Sequence, residues 1–110
     1  HILAHYFRVL YHIFKFIDTS RLSEFDKTIY ANIARAQLSS YELCLLFYNG
    51  IYGEGKEGFK PLIEKYGILK HLDTNLLLHP NHRENRMFYN ESAFLGRSGR
   101  AKLHGITETE

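Results

Sequence analysis

The stretch that decides the fold is "SEFDKTIYANIARAQLSSYELCLLFYNG", residues 23–50. Ser23 is followed three residues later by Asp26, a spacing that resembles the capping box at the start of a helix. Gly50 offers a stop at the other end. Apolar residues between them recur at the spacing of one helix face. The stretch therefore predicts one long helix over residues 23–49, with a face made of Phe25, Ile29, Ile33, Ala36, Leu43 and Phe47.

Small and polar residues within this predicted helix suggest how it packs. Ala36 and Ser40 are small and four residues apart on the apolar face, so we expect another helix to approach closely there. Cys44 has apolar neighbours and no histidine within one turn, which favours a buried, inert thiol over a nucleophile. The opposite side carries Glu24, Lys27, Thr28, Arg35, Ser39, Glu42 and Asn49.

Helices are also predicted before and after this stretch. Residues 2–17, "ILAHYFRVLYHIFKFI", are apolar at nearly every position, and the polar residues at 5, 8, 12 and 15 share one stripe with His1. Such a helix is central in a small bundle or meets a partner. "FKPLIEKYGILKHL" (59–72) predicts a third helix with Pro61 in its first turn and Gly67 near its end or at a kink. "RMFYNESAFLG" (86–96) predicts a short helix that docks Met87, Phe88, Ala93 and Phe94.

Length and composition indicate one folded domain. The chain has 110 residues, of which 45% are hydrophobic and 15% aromatic, and it shows no internal repeat and no convincing strand. We predict an all-α fold, a small helical bundle of three to five helices with a loop-rich C-terminal third. Residues 1–96 form this single domain and 97–110 a flexible tail. Because the chain starts with His1 inside an apolar run, we expect a fragment of a longer protein.

Charge, cysteine and histidine content exclude several classes of protein. A net charge of +2 gives no overall case for nucleic acid binding, and a single cysteine excludes an internal disulfide framework and a cysteine-based zinc site. Reducing, cytoplasmic surroundings fit best. No uninterrupted apolar run is long enough to span a membrane. His5 and His12 lie two turns apart, about 10 Å along a helix, too far to share one ion. We predict no metal and no cofactor.

One pair of residues has the chemistry of a metal-free ribonuclease. Arg8 and His12 lie one turn apart, and an arginine that holds a phosphate with a histidine that moves a proton is the minimal equipment. HEPN-class defence ribonucleases separate these residues by four to six positions, whereas three separate them here. Six positions separate Arg97 from His104, but that segment contains glycine and lacks a helical context. The other interpretation is a structural polar network between Arg8, His12 and the polar side of the second helix.

The C-terminal third is locally basic. Phe88 and Tyr89 offer stacking surfaces there, so contact with RNA is one interpretation. Glu84 and Glu91 dilute the positive charge, and a solvated, mobile face is the other interpretation. The basic residues are Arg83, Arg86, Arg97, Arg100 and Lys102.

Three blocks in the same order carry a resemblance to a known family. They are "HYFRVLYHIFKFID" (5–18), "YANIARAQLSSYELCLLFYNG" (30–50) and "GKEGFKPLIEKYGILKHLD" (55–73), with "FYNESAFLG" at 88–96. Together they resemble bacterial phage abortive infection proteins of the lactococcal C-type group. The resemblance implies an antiviral role, in which an infected cell stops growing or dies before the phage matures. It also implies hydrophobic helices ahead of this region, which anchor the full-length protein at the inner face of the cell membrane.

The resemblance brings no established catalytic residue, so two functions remain open. The leading hypothesis is a defence domain that acts as an interaction or sensing module, with a protein partner or a second copy of itself. The rival is a HEPN-like ribonuclease in which Arg8 or Arg35 binds phosphate and His12 is the acid or base. The predicted site is the polar stripe of the first helix with the head of "RAQLSSYE", and its residues are His5, Arg8, Tyr11, His12, Arg35, Gln37, Ser39, Tyr41, Glu42 and Asn49.

Overall fold

The computed structural model describes residues 2–52, 55–78 and 88–96. Within these residues there are four α-helices and no strand, which confirms the prediction of a small all-α bundle. The predicted tail at 97–110 lies outside the described residues. The elements are α1 (Ile2–Thr19), α2 (Glu24–Arg35), α3 (Ser40–Ile51) and α4 (Gly55–Tyr66), followed by two short 3-10 helices at Thr74–Leu76 and Glu91–Phe94.

The long helix predicted over residues 23–49 is wrong, because the chain breaks between α2 and α3. A capping box starts the second piece: Ser39 Oγ accepts from Glu42 N at 3.1 Å, and Glu42 Oε1 accepts from Ser39 N at 2.8 Å. These bonds satisfy amides that a continuous helix would pair with its preceding turn. Ala36 and Ser40 consequently lie exposed at the break, so the predicted close-packing notch is also wrong.

A polar network joins the end of α1 to α2 and α4. The Asp18 carboxylate accepts from Tyr66 Oη at 2.7 Å and pairs with Lys65 at 2.5 Å. Burial alone would raise the pKa of Asp18, but the bonds from Lys65 and Tyr66 outweigh it and hold the pKa below its ordinary value. Lys27 Nζ donates to the backbone carbonyl of Asp18 at 2.8 Å and pairs with Glu24 at 3.2 Å. Side chains of α1, α2 and α4 therefore hold the turn at residues 20–23 in place.

The buried and exposed faces of α2 are the reverse of the predicted ones. Its polar residues Lys27, Thr28 and Arg35 are buried, whereas Phe25 and Ile33 on the apolar face are 39% and 55% exposed. The inward polar groups have partners: Lys27 bonds Asp18, Thr28 Oγ1 donates to the Glu24 carbonyl, and Arg35 donates to a carbonyl after α4. These bonds remove most of the cost of burying polar groups. Helix α2 therefore needs only a small apolar contact with the core, which Ala31 provides.

The core lies between α1, α3 and α4 and is largely aromatic. Phe14 and Phe59 pack with ring centroids 6.2 Å apart, and Phe47 meets Tyr89 at 5.3 Å. Pro61 lies inside α4 rather than in its first turn, because that helix already begins at Gly55. The largest fully buried side chains are Tyr66, Phe14, Phe47, Phe59, Leu43, Leu46, Ile63, Ile68 and Leu69.

The segment 88–96 docks on the bundle through glycines that permit close approach. Leu69 N donates to the Ala93 carbonyl at 2.9 Å, and Gly67 (φ +59°) ends α4 where a Cβ would overlap the backbone of Gly96. Gly50 lies within α3 and does not stop it, contrary to the prediction. The predicted docking of Ala93 is confirmed, although the local structure is a 3-10 turn and Met87 lies outside the described residues.

Gly50 is a contact point for a buried tyrosine. Tyr89 Oη donates to the Phe47 carbonyl at 2.7 Å, and a Cβ at Gly50 would overlap that hydroxyl and lie 3.0 Å from Ile63 Cδ1. Tyr89 is therefore 2% exposed, and the sequence-based interpretation of its ring as a surface for stacking RNA bases is wrong.

Gly50→Ala is expected to lower the free energy of unfolding by about 1–3 kcal/mol, since overpacking forces Tyr89 to move. Urea unfolding measures it. In a Tyr89→Phe background the same substitution should cost clearly less, because the overlapping hydroxyl is gone, so the two changes should be non-additive. Equal costs in both backgrounds would contradict the contact.

Candidate functional site

The polar residues of α1 form an exposed row along the helix. His5, Arg8, His12 and Lys15, here called the α1 polar row, recur every three or four residues and are all exposed. Tyr11 lies beside the row and anchors it: its ring meets that of Phe59 on α4 edge-on, with centroids 5.7 Å apart. The row therefore belongs to a rigid helix whose opposite side is in the core.

Tyr11 fits closely against α4 because of a glycine. A Cβ at Gly58 would lie 3.3 Å from the Tyr11 ring, tighter than most such contacts. On its other side the Tyr11 ring meets the His12 ring edge-on, with centroids 5.1 Å apart. Half-buried Tyr11 thus connects the core to the solvent-exposed His12.

The break between α2 and α3 is tied to α1 by one hydrogen bond. Tyr6 Oη donates to Glu42 Oε2 at 2.7 Å, while the other carboxylate oxygen serves the capping box of Ser39. The backbone bond from Ser39, and then the bond from Tyr6, hold the pKa of Glu42 below its ordinary value. Burial, and then the bond and charge of Glu42, raise the pKa of Tyr6 to about 12. The predicted site residues Ser39 and Glu42 therefore form a structural junction with Tyr6.

Arg35 lies inside the bundle. It is 6% exposed, and its Nη1 donates to the Gly67 carbonyl at 3.4 Å, just beyond the end of α4. The negative end of the α4 dipole also stabilises a positively charged guanidinium at this position. A Cβ at Gly96 would lie 2.9 Å from Nη1, so segment 88–96 covers the arginine. Arg8 and His12 are in solvent while Arg35 is buried, which favours a structural role for Arg35 over phosphate binding.

The remaining predicted site residues differ in exposure. Gln37 is exposed at the break and donates from Nε2 to the Ile33 carbonyl at 3.3 Å. Tyr41 is 72% exposed at the start of α3, and Asn49 near its end is half-buried. The structure thus brings Tyr6, Ser39 and Glu42 together, and Tyr6 is the member that the sequence reasoning missed. The S-x-x-E pattern at 39–42 was the signal for the other two.

A family model described as "Putative phage abortive infection protein" matches residues 1–77 of the chain. The chain belongs to this family. The match includes all of α1 to α4 and the 3-10 turn at Thr74–Leu76, so it covers the α1 polar row and the α2–α3 break. No curated protein and no solved structure matches the chain.

The remaining expectations concern metal binding, membrane-spanning helices, Cys44 and the basic C-terminal residues. Within the described residues, no group of three or more His, Cys, Asp and Glu side chains is placed to hold a metal ion. In the same part of the chain, no helix has the length and apolar character needed to cross a membrane. Cys44 is half-buried with its Sγ 3.4 Å from the Leu76 carbonyl, and burial raises the pKa of its thiol. His79, His82, Arg83, Glu84, Arg86, Arg97, Arg100, Lys102 and His104 lie outside the described residues.

Tyr6→Phe is expected to make the protein more sensitive to acid. The lowered pKa of Glu42 contributes stability above its unfolded value of about 4.5, and this contribution is lost as the pH falls through the folded pKa. Without the Tyr6 bond the folded pKa moves up, so acid unfolding followed by circular dichroism should begin at a higher pH. The raised pKa of Tyr6 contributes stability below pH 10 that is lost towards about pH 12, and the variant should lack that alkaline loss. Tyr41→Phe is the matched control; an unchanged acid profile in Tyr6→Phe would contradict the assignment.

Arg35→Ala should lower the free energy of unfolding by about 1.5–3 kcal/mol, since a hydrogen bond from a charged, buried group is lost. Arg8→Ala, at an exposed position, should change it by less than about 0.5 kcal/mol. Urea unfolding of both variants is the measurement. Wild-type stability in Arg35→Ala would show that the guanidinium is not structural.

Proposed function

We propose that this domain acts in abortive infection as an interaction or sensing module without its own catalysis. Its family membership supports the link to phage defence. The observation that carries the finer proposal is the α1 polar row: four exposed side chains in line on a helix that the core holds rigid. In this proposal the domain works in the cytoplasm on a protein partner or a second copy, with the full-length protein anchored at the inner face of the membrane.

The charge of the α1 polar row indicates the chemistry of its partner. Residues 2–17 contain no aspartate or glutamate. The one carboxylate of α1 belongs to Asp18, at the end of the row, and it is engaged by Lys65 and Tyr66 of α4. An acidic surface would complement this row, and charge complementarity of this kind steers association and selects partners. The row is thus suited to detect an acidic protein surface.

Placement of the arginines weakens the ribonuclease alternative. Metal-free cleavage requires an arginine and a proton-transferring histidine that converge on one phosphate. Arg35 is covered by segment 88–96, so it is not available to complete a site with Arg8 and His12. Arg8 and His12 remain as an exposed pair one turn apart. Within the part of the chain that the structure describes, an exposed pair that Arg35 does not join favours binding over catalysis.

Phage challenge of cells that express the full-length protein tests this proposal. Arg8→Ala and His12→Ala should each reduce protection by at least about tenfold, because a binding contact worth about 1.4 kcal/mol is lost. Exposed Arg21→Ala and His71→Ala are matched controls and should protect normally. Total RNA should stay intact in infected cells that carry the wild-type protein. Normal protection by both row variants would refute this surface, and RNA fragmentation that depends on His12 would establish the ribonuclease instead.

A further inference from the structure

The outside of the hairpin formed by α1 and α2 is apolar. Phe16 is 76% exposed and Val9 46% on α1, while Ile33 is 55% exposed on α2. We call the following eight residues the outer apolar face: Val9, Ile13, Phe16, Leu22, Phe25, Ile29, Tyr30 and Ile33.

Helix geometry places the members of this face together. At 100° per residue, Val9, Ile13 and Phe16 share one stripe of α1 about 60° wide, roughly opposite Tyr11, which contacts α4. The stripe therefore points away from α4. Helices α1 and α2 pack against each other and are joined by residues 20–23, so they form an antiparallel hairpin. Residues equally far from that turn lie at the same height along the hairpin, so Val9 is level with Ile33 and Ile13 with Ile29.

The outer apolar face is large enough for a stable interface. Its eight side chains are each about two-fifths exposed or more. Together they expose on the order of 800 Å², which is the area that each partner buries in a standard protein interface. A monomeric protein usually has no more than about 300–600 Å² in its largest apolar patch. The face is therefore more than the scattered apolar surface of a monomer.

We propose that the occupant of this face is a second copy of the chain, in a two-fold dimer whose axis runs parallel to α1 and α2. Rotation about this axis packs α1 of each copy on α2 of the other. It leaves each residue at the same height along the axis. Val9 then meets Ile33 and Ile13 meets Ile29, twice, since a two-fold interface is self-complementary. The result is a bundle of four antiparallel helices at the interface.

The distribution of charge agrees with this arrangement. At 100° per residue the α1 polar row lies next to the stripe of Val9, Ile13 and Phe16, on the side of α1 opposite the buried Phe7, Leu10 and Phe14. A two-fold axis parallel to the helices places the rows of the two copies at opposite edges of the dimer, where they do not repel each other. Both rows stay open to solvent. The dimer rests on the proposed function and deepens it, because one assembly then presents two identical basic rows to its partner.

Sedimentation equilibrium of the purified chain tests the dimer. The wild-type chain should have twice its monomer mass of 12.9 kDa at micromolar concentration. Ile13→Lys and Ile29→Glu, both at exposed positions, should each raise the dissociation constant at least about 100-fold with unchanged circular dichroism. Mixing the two variants should restore a heterodimer, since one interface then pairs Lys with Glu and the other keeps both isoleucines. Leu45→Lys, at a similarly exposed site on α3, is the control and should remain dimeric.

The dimer would be overturned by a wild-type monomer at high micromolar concentration, by variants that dimerise normally, or by a mixture that stays monomeric. A monomer that binds anionic vesicles through this face, with binding lost in Ile13→Lys, would also overturn it. Arg8→Ala separates the two proposals. Loss of protection by a dimeric Arg8→Ala protein supports the function and leaves the dimer standing, whereas a monomeric wild-type protein refutes the dimer alone.

Discussion

The helix break at residues 36–39 is the constraint on which the rest of the structure depends. Ser39 and Glu42 satisfy each other's backbone amides, and Tyr6 holds the same carboxylate from α1. One glutamate therefore starts α3 and fixes its first turn against the first helix. If the chain continued as one helix over residues 23–49, it would extend for about 40 Å, and α3 and α4 could not close over α1. The small bundle exists because this helix is two helices.

The helix break also explains why α2 has polar residues inside. Short α2 ends where Arg35 reaches the carbonyl after α4, and it begins where Lys27 reaches the carbonyl of Asp18. With both ends bonded to other elements, α2 is positioned by polar contacts rather than by apolar packing. Such contacts are directional, so they define the rotation of α2 about its own axis more sharply than apolar packing does. Apolar Phe25, Ile29 and Ile33 are then left outside.

Local patterns in the sequence are sufficient to predict part of this fold. The existence of the helices, the cap at Ser23 and the end of α4 at Gly67 follow from signals within a few residues. Two signals conflict at the break: a sustained apolar period favours one long helix, whereas the S-x-x-E pattern at 39–42 favours a new helix start, and the structure follows the second. The orientation of α2 was not predictable in this way, because Lys27 and Arg35 find their partners 9 and 32 residues away in sequence. The buried state of Arg35 follows from the same distant contact.

The two surfaces of α1 have one structural origin. An isolated helix with apolar residues round most of its circumference cannot bury all of them in a domain of this size, since its neighbours cover only part of its surface. Here α3 and α4 take up the side with Phe7, Leu10 and Phe14, and α2 turns its own apolar face outward beside the remainder. The uncovered apolar surface of the hairpin therefore includes residues of both helices. The polar network at Asp18 fixes the orientation of α2. The buried polar groups of the hairpin therefore determine which apolar side chains its outer surface presents to a partner.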